Sequence, residues 1–244
     1  NDNAKKVSQN IGFKLCDNMS LDTQSLLIEI KNADLVLVHW WNHPLLTALL
    51  VREVLPASRV ILWSHVSGMH APYVFPPAAL EYSDLFVFTT PLSFETDEVK
   101  ALTDERKEKL RVVWSTGGVE EAAKLVRKKN DTFTVGYVGT VDYCKMHPGF
   151  VEMSSSLEID NYKIVVCGGP SEKELQKESE TLNSSHKFTF TGLINNVCDY
   201  LSQFDVFGYP LAPYHYGTCE QALAEAMATG VPPVVMANPT EKLM

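Results

Sequence analysis

The 244-residue sequence has five cysteines but no CxxC pair, since Cys16, Cys144, Cys167, Cys198 and Cys219 lie scattered. An odd, unpatterned set excludes a disulfide framework or zinc ribbon and is the usage of reduced thiols in a cytosolic protein. No HExxH motif or Cys/His spacing supports a metal site, and no GxGxxG follows a first strand, which argues against an NAD-binding Rossmann enzyme. No apolar run is long enough to span a bilayer and no signal-peptide start is present, so a soluble, cytoplasmic chain is expected. Positive charge is scarce as well: 21 Lys and Arg stand against 30 Asp and Glu, for a net charge of −9. That deficit excludes nucleic acid as a main partner. It leaves a membrane surface only a local basic patch, around Lys124–Lys129. Small phosphorylated ligands are unaffected, since one or two local cations suffice for them.

Short β-branched and apolar runs alternate with amphipathic stretches along the chain. The runs predict strands over Asp34–His39, Arg59–Ser64, Asp84–Thr89, Arg111–Trp114, Phe133–Val138, Tyr162–Cys167, Lys187–Phe190, Asp205–Tyr209 and Pro233–Met236. Most lack strict alternation, the pattern of parallel strands covered on both faces. Helical periodicity over Pro44–Leu55, Ser171–Leu182 and Thr218–Thr229 completes a strand–helix–strand order, hence α/β with doubly wound parallel sheets. A break at Gly117-Gly118 and the Lys/Arg-rich stretch to Asn130 divides the strands into four and five. Two Rossmann-like units are expected, residues 1–120 and 121–244, with one long sheet as the alternative.

In open parallel sheets ligands sit at the carboxyl ends of strands, so those loops are the places to search. Thr218 and Gln221 have capping-box spacing, and Gly230 followed by Val231-Pro232 suits a helix end. Glu225 between Ala-rich flanks is either on the one exposed stripe of that helix or held by ligand hydroxyls. Lys145, after the strand that ends at Val138-Gly139-Thr140, is either a solvated lysine or an anion site near a helix whose first turn suits Pro148. Gly168-Gly169 either admit a ligand to the backbone or make a tight turn, with a capping box from Ser171 to Glu174. His39 and His65 end two strands and suit hydrogen bonding to phosphate or sugar. With His43 and His70 they form the one set with the chemistry to ligate a metal. Trp40 and Trp41 either stack on a sugar face or simply pack.

The run Glu225-Ala226-Met227-Ala228-Thr229-Gly230-Val231-Pro232-Pro233-Val234-Val235 resembles the E-A-M-A-x-G-x-P-V-V signature of retaining GT-B glycosyltransferases of the family-four type, the glycosyl transferases group 1. Other segments follow in the family's order. Asp34–His39 is similar to its D-V-V-H-x-H strand, Trp63-Ser64-His65 to its second histidine strand, and Gly118-Val119-Glu120 to N-G-V-D at the crossover. Phe190-Thr191-Gly192-Leu193 resembles the F-x-G loop and Asp205–Pro210 the A-D-V-F-V-x-P strand. The likeness runs from about residue 33 onward.

The resemblance implies two facing domains and a nucleotide-sugar substrate, UDP- or GDP-linked, with no cofactor or metal required. Glu225 would bind the ribose hydroxyls, Lys145 with Gly139 and Thr140 the diphosphate, Leu193 and Ile194 the base, and Gly217 and Thr218 the donor side of the loop. His65 would meet the donor sugar or leaving phosphate. His39, Trp40 and Trp41 would face a glycan or lipid-linked acceptor, with peripheral contact at the inner membrane face. Two positions depart from the pattern. Gly217 stands where a second glutamate is usual, with Glu220 the nearest acid to serve as a catalytic substitute, and Thr140 replaces the arginine that pairs with Lys145. The family's opening strand and its closing strands and helix have no counterpart, so a chain incomplete at both ends is expected. The resemblance thus implies hexosyl transfer, with a catalytically degenerate nucleotide- or partner-binding module as the alternative and a GT-B epimerase as a third reading.

Overall fold

The computed structural model describes residues 2–52 and 55–244. All nine predicted strands form, and all their pairings are parallel. The first four, β1 (Val36–Trp40), β2 (Val60–Ser64), β3 (Leu85–Phe88) and β4 (Leu110–Val112), lie in the order β1-β2-β3-β4. The other five are β5 (Phe133–Val138), β6 (Tyr162–Cys167), β7 (Phe188–Gly192), β8 (Val206–Tyr209) and β9 (Pro233–Val235). They pair in the order β7-β6-β5-β8-β9. Two separate parallel sheets, each an α/β layer, replace the alternative of one long sheet.

The apolar runs explain why these segments pair. Leu62, Phe86 and Phe88 in the first sheet, and Ile164, Val166 and Phe207 in the second, are fully buried. Each such side chain contributes about 1.5–3 kcal/mol by leaving water. The outer strands are less covered. In β1 only Trp40 is buried while Leu37 and His39 stay exposed, and β9 is exposed throughout.

Helix boundaries differ from expectation where side chains have other work. The helix expected over Thr218–Thr229 runs from Gln221 to Ala228 with Glu220 at its N-cap position, so Thr218 and Gln221 form no capping box. It ends as predicted: Gly230 (φ 74°) donates to the Met227 carbonyl at 3.0 Å and Val231 to that of Ala226 at 3.1 Å, a Schellman motif. Ser171 precedes the helix Glu172–Thr181 without a side-chain cap, because its hydroxyl donates to Asp142 Oδ2 at 3.3 Å. Pro148 falls before the helix Phe150–Ser155 instead of within its first turn. The helix expected over Pro44–Leu55 is seen as Pro44–Arg52, and the expectation for residues 53 and 54 lies outside the described residues.

Among the described residues no helix is long and apolar enough to cross a membrane. The expected basic patch is thinner than its composition suggests. Arg127 spends its guanidinium on the carbonyls of Gly230, Phe204 and Asp205, at 3.2–3.3 Å, and Lys124 pairs with Glu121 at 2.6 Å.

Candidate active site

Strand order reverses between β5 and β8, and the carboxyl ends at such a reversal open the crevice in which α/β sheets bind ligands. The loop after β5 carries Gly139, Thr140 and Lys145, and the loop after β8 carries Cys219 and Glu220. They meet Trp41 and His65, from the ends of β1 and β2, around one cleft of about 580 Å³. Ser115, Gly169, Leu193, Tyr209, Gln221 and Ala222 complete its lining. An apolar groove of about 330 Å³ along the second sheet, bounded by Val135, Phe150, Met153, Val206 and Val234, brings no charged side chain to its lining.

At the base of the cleft Lys145 Nζ lies 2.8 Å from Glu220 Oε2, with side chains 15% and 3% exposed. Tyr209 donates its hydroxyl to the same oxygen at 2.7 Å. Burial, reinforced by the Glu220 carboxylate, holds the Tyr209 phenol well above its ordinary range, so it stays a donor. Lys145 also stands 5.7 Å above the Tyr216 ring. Gly217 is what lets the acid in: a Cβ there would sit 2.1 Å from Glu220 Oε1. Glu220 therefore fills the space beside the bare backbone of Gly217. The loop is fixed by Gly217 N–H, which donates to His215 Nδ1 at 3.0 Å, while His215 Nε2 lies 3.0 Å from Glu241.

The histidines do not converge as a set of four. His39 Nδ1 and His65 Nε2 are 2.7 Å apart with rings tilted by 15°, and Trp41 stacks on His65 at 4.8 Å. His43 instead accepts from the Leu45 N–H and His70 packs edge-on to Tyr214. Among the described residues no group of three His, Cys, Asp or Glu could hold a metal ion. Burial first, then His39, pushes the His65 pKa below its ordinary value. A depressed histidine stabilises the fold above its unfolded pKa of about 6.5 and withdraws that contribution as pH falls. The melting temperature is therefore expected to fall between pH 7 and pH 5, and the slope to flatten in His65→Gln. An unchanged slope would remove His65 from the titration.

Of the expected site residues, Trp40, Gly217, Thr218, Glu225 and Ile194 do not line this cleft, while Leu193 does. Trp40 is 1% exposed and packs in the core under β1, so it cannot reach a sugar. Trp41, just past the end of β1, is 52% exposed and lines the cleft instead. Gly217 and Thr218 are buried behind the cleft wall. Glu225 is partly buried one helical turn beyond Gln221, whose amide donates to it at 2.9 Å. Leu193 projects into solvent at 89% exposure, while Ile194 packs against the core. Gly168 makes a close approach between loops, its Cβ position lying 1.9 Å from the Gly139 carbonyl oxygen. That leaves no room there for a ligand.

Some groups escaped the sequence reading. Tyr209 ends β8 and looked like one more apolar strand residue. Cys219 and Gln221 reach back to the linker between the sheets. Ser115 N–H and Oγ meet the Cys219 sulfur at 3.3 and 3.0 Å, and Gln221 clamps Gly117 through its N–H at 3.1 Å and its carbonyl at 2.8 Å. Asp142 holds the Lys145 loop by accepting from the Cys144 N–H at 2.8 Å, and this bond keeps its carboxyl below the usual range.

No curated protein matches the chain in sequence. Many solved structures share its fold, three of them as follows. The chain matches TarM, of S. aureus, with a TM-score of 0.68 and 13% identity over 92% of this chain and 45% of that one. It matches Anabaena HepE, in complex with UDP-glucose, at 0.70 and 15% over 91% and 65%. For sucrose-phosphate synthase from Thermosynechococcus elongatus the figures are 0.67 and 16% over 93% and 63%. The chain thus spans about half to two-thirds of the length of these structures. Residues 119–242, just over half of the chain, match the family described as glycosyl transferases group 1, and the protein belongs to that family.

Proposed function

We propose that the protein transfers a hexose, with retention, from a UDP- or GDP-sugar to a glycan, lipid-linked or small-molecule acceptor, using two units divided near residue 120. The observation that carries this reading is the meeting of Lys145 with His65 and Trp41 across one cleft at the carboxyl ends of both sheets. Negative charge grows on the leaving diphosphate in such a transfer. A fixed ammonium and preorganised polar groups lower that barrier more than water can. His65 sits where it can hydrogen-bond the sugar or the departing phosphate, and Trp41 offers the acceptor an exposed ring. Leu193, with Ile194 packed behind it, supplies the base-side contact, and Glu225, one helical turn behind the lining residue Gln221, a carboxylate for ribose hydroxyls.

A second reading, a nucleotide-binding module without turnover, is favoured by the pairing of Lys145 with Glu220 and by Thr140 in place of arginine. Thermal melts with UDP, GDP, ADP and their sugars separate the two. A ligand at a hundred times its Kd adds about 2.7 kcal/mol to stability. In a chain of this size that is roughly 5–10 °C. One nucleotide series is expected to give this shift, and Glu225→Ala to lose most of it, with hexose transfer or slow donor hydrolysis by the full-length protein. Binding without turnover selects the second reading. A sugar of inverted configuration formed without any acceptor would instead mark an epimerase.

A further inference from the structure

The cleft holds a cation and its own counter-ion. Among the described lining residues Lys145 is the single Lys or Arg, and Glu220 already neutralises it at 2.8 Å in a buried setting. The carboxylate cannot drift away cheaply. Its Oε2 accepts from both Lys145 and Tyr209, and its Oε1 fills the space left by the absent side chain at Gly217. A ligand phosphate that approaches Lys145 must therefore compete with a carboxylate in contact with it. A neutral ligand offers Lys145 nothing in exchange, and a monoanion replaces like with like. A diphosphate brings more charge than the group it displaces. Discrimination of this kind comes from a repulsive group built into the site as much as from the attractive one.

We propose that Glu220 is a built-in competitor for Lys145, displaced only by a ligand that carries more charge than one carboxylate, and that it weakens diphosphate binding in doing so. The proposal rests on reading the cleft as an anion site and goes beyond it by giving the acid a role opposed to tight donor binding.

The test is calorimetric titration of uridine, UMP, UDP and inorganic pyrophosphate into the unaltered protein, Glu220→Gln and the Lys145→Met/Glu220→Gln double variant. Glutamine keeps the acceptor for Tyr209 and nearly the same shape. Removing one unit charge in contact with the cation is expected to tighten UDP and pyrophosphate about tenfold or more, UMP less, and uridine not at all. The double variant should lose the gain. Glu220→Asp, which withdraws the carboxylate by one methylene, should give the same ordering at smaller size and serves if the glutamine variant melts early. Weaker UDP binding in Glu220→Gln, an equal shift for all four ligands, or no pyrophosphate binding to any form would overturn the proposal. Pyrophosphate gain without preference for any nucleotide would uphold it while removing the nucleotide-sugar reading.

Discussion

Lys145→Met is expected to destabilise the protein by about 3–5 kcal/mol, because it strands a buried carboxylate with only the Tyr209 hydroxyl for company. For a chain of this length that lowers the melting temperature by roughly 10 °C. Glu220→Gln should cost less, about 1–2 kcal/mol, since Lys145 is the more exposed partner and its flexible stem can carry the ammonium toward water. The double variant removes both charges and should come back to within about 1–2 kcal/mol of the parent. A denaturation cycle over the four proteins then reads a coupling of about 4 kcal/mol. A Lys145→Met penalty near that of a surface substitution, about 0.5 kcal/mol, would mean that Glu220 reaches water and the pair is open.

Gly168→Ala is the second large effect. Gly168 has φ of 136°, a region that side chains rarely enter, and its Cβ would stand 1.9 Å from the Gly139 carbonyl oxygen. That oxygen cannot retreat easily. Gly139 N–H donates to the Cys167 carbonyl at 3.0 Å, and Gly168 N–H to that of Gly192 at 2.8 Å. The loops after β5, β6 and β7 are thus tied at one point. Backbone strain of about 1–3 kcal/mol adds to overpacking of similar size, for a total of about 2–6 kcal/mol. The neighbouring Gly169→Ala is the control, since its Cβ would meet only the flexible Glu172 carboxylate at 3.3 Å. It should cost about 1 kcal/mol or less, within the range of ordinary substitutions. Equal losses in thermal melts of the two variants would show that the crowding at Gly168 relaxes freely.

The strands were legible because a covered parallel strand needs a continuous apolar run whatever surrounds it, and such runs stand out between turn residues. The helix end at Gly230 was equally local. Capping was not. Ser171 has the right spacing for its box, but Asp142, nearly thirty positions earlier, takes its hydroxyl. Gln221 has the right spacing for another, but its amide holds the linker at Gly117. The same distinction divides the site. Lys145 and His65 could be placed by asking which residues follow a strand. The closure of Lys145 by Glu220 depends on the bare backbone at Gly217 and on a loop path no local pattern encodes. Trp40 and Trp41 carried the same label in the sequence, and only the end of β1 between them separates the packed ring from the exposed one.

The order β7-β6-β5-β8-β9 also sets a timetable for the chain as it leaves the ribosome. β5 pairs with β6 soon after both are made, yet its other edge waits for Val206 and Phe207, roughly seventy residues behind Val135 and Gly136. At about 5–20 residues per second, that edge stands bare for some 4–14 s of synthesis. An open apolar strand edge is a template for wrong partners. The nascent second sheet is thus most exposed to aggregation while residues 139–205 emerge, and it is sealed by the same strand whose following loop delivers Glu220 to Lys145.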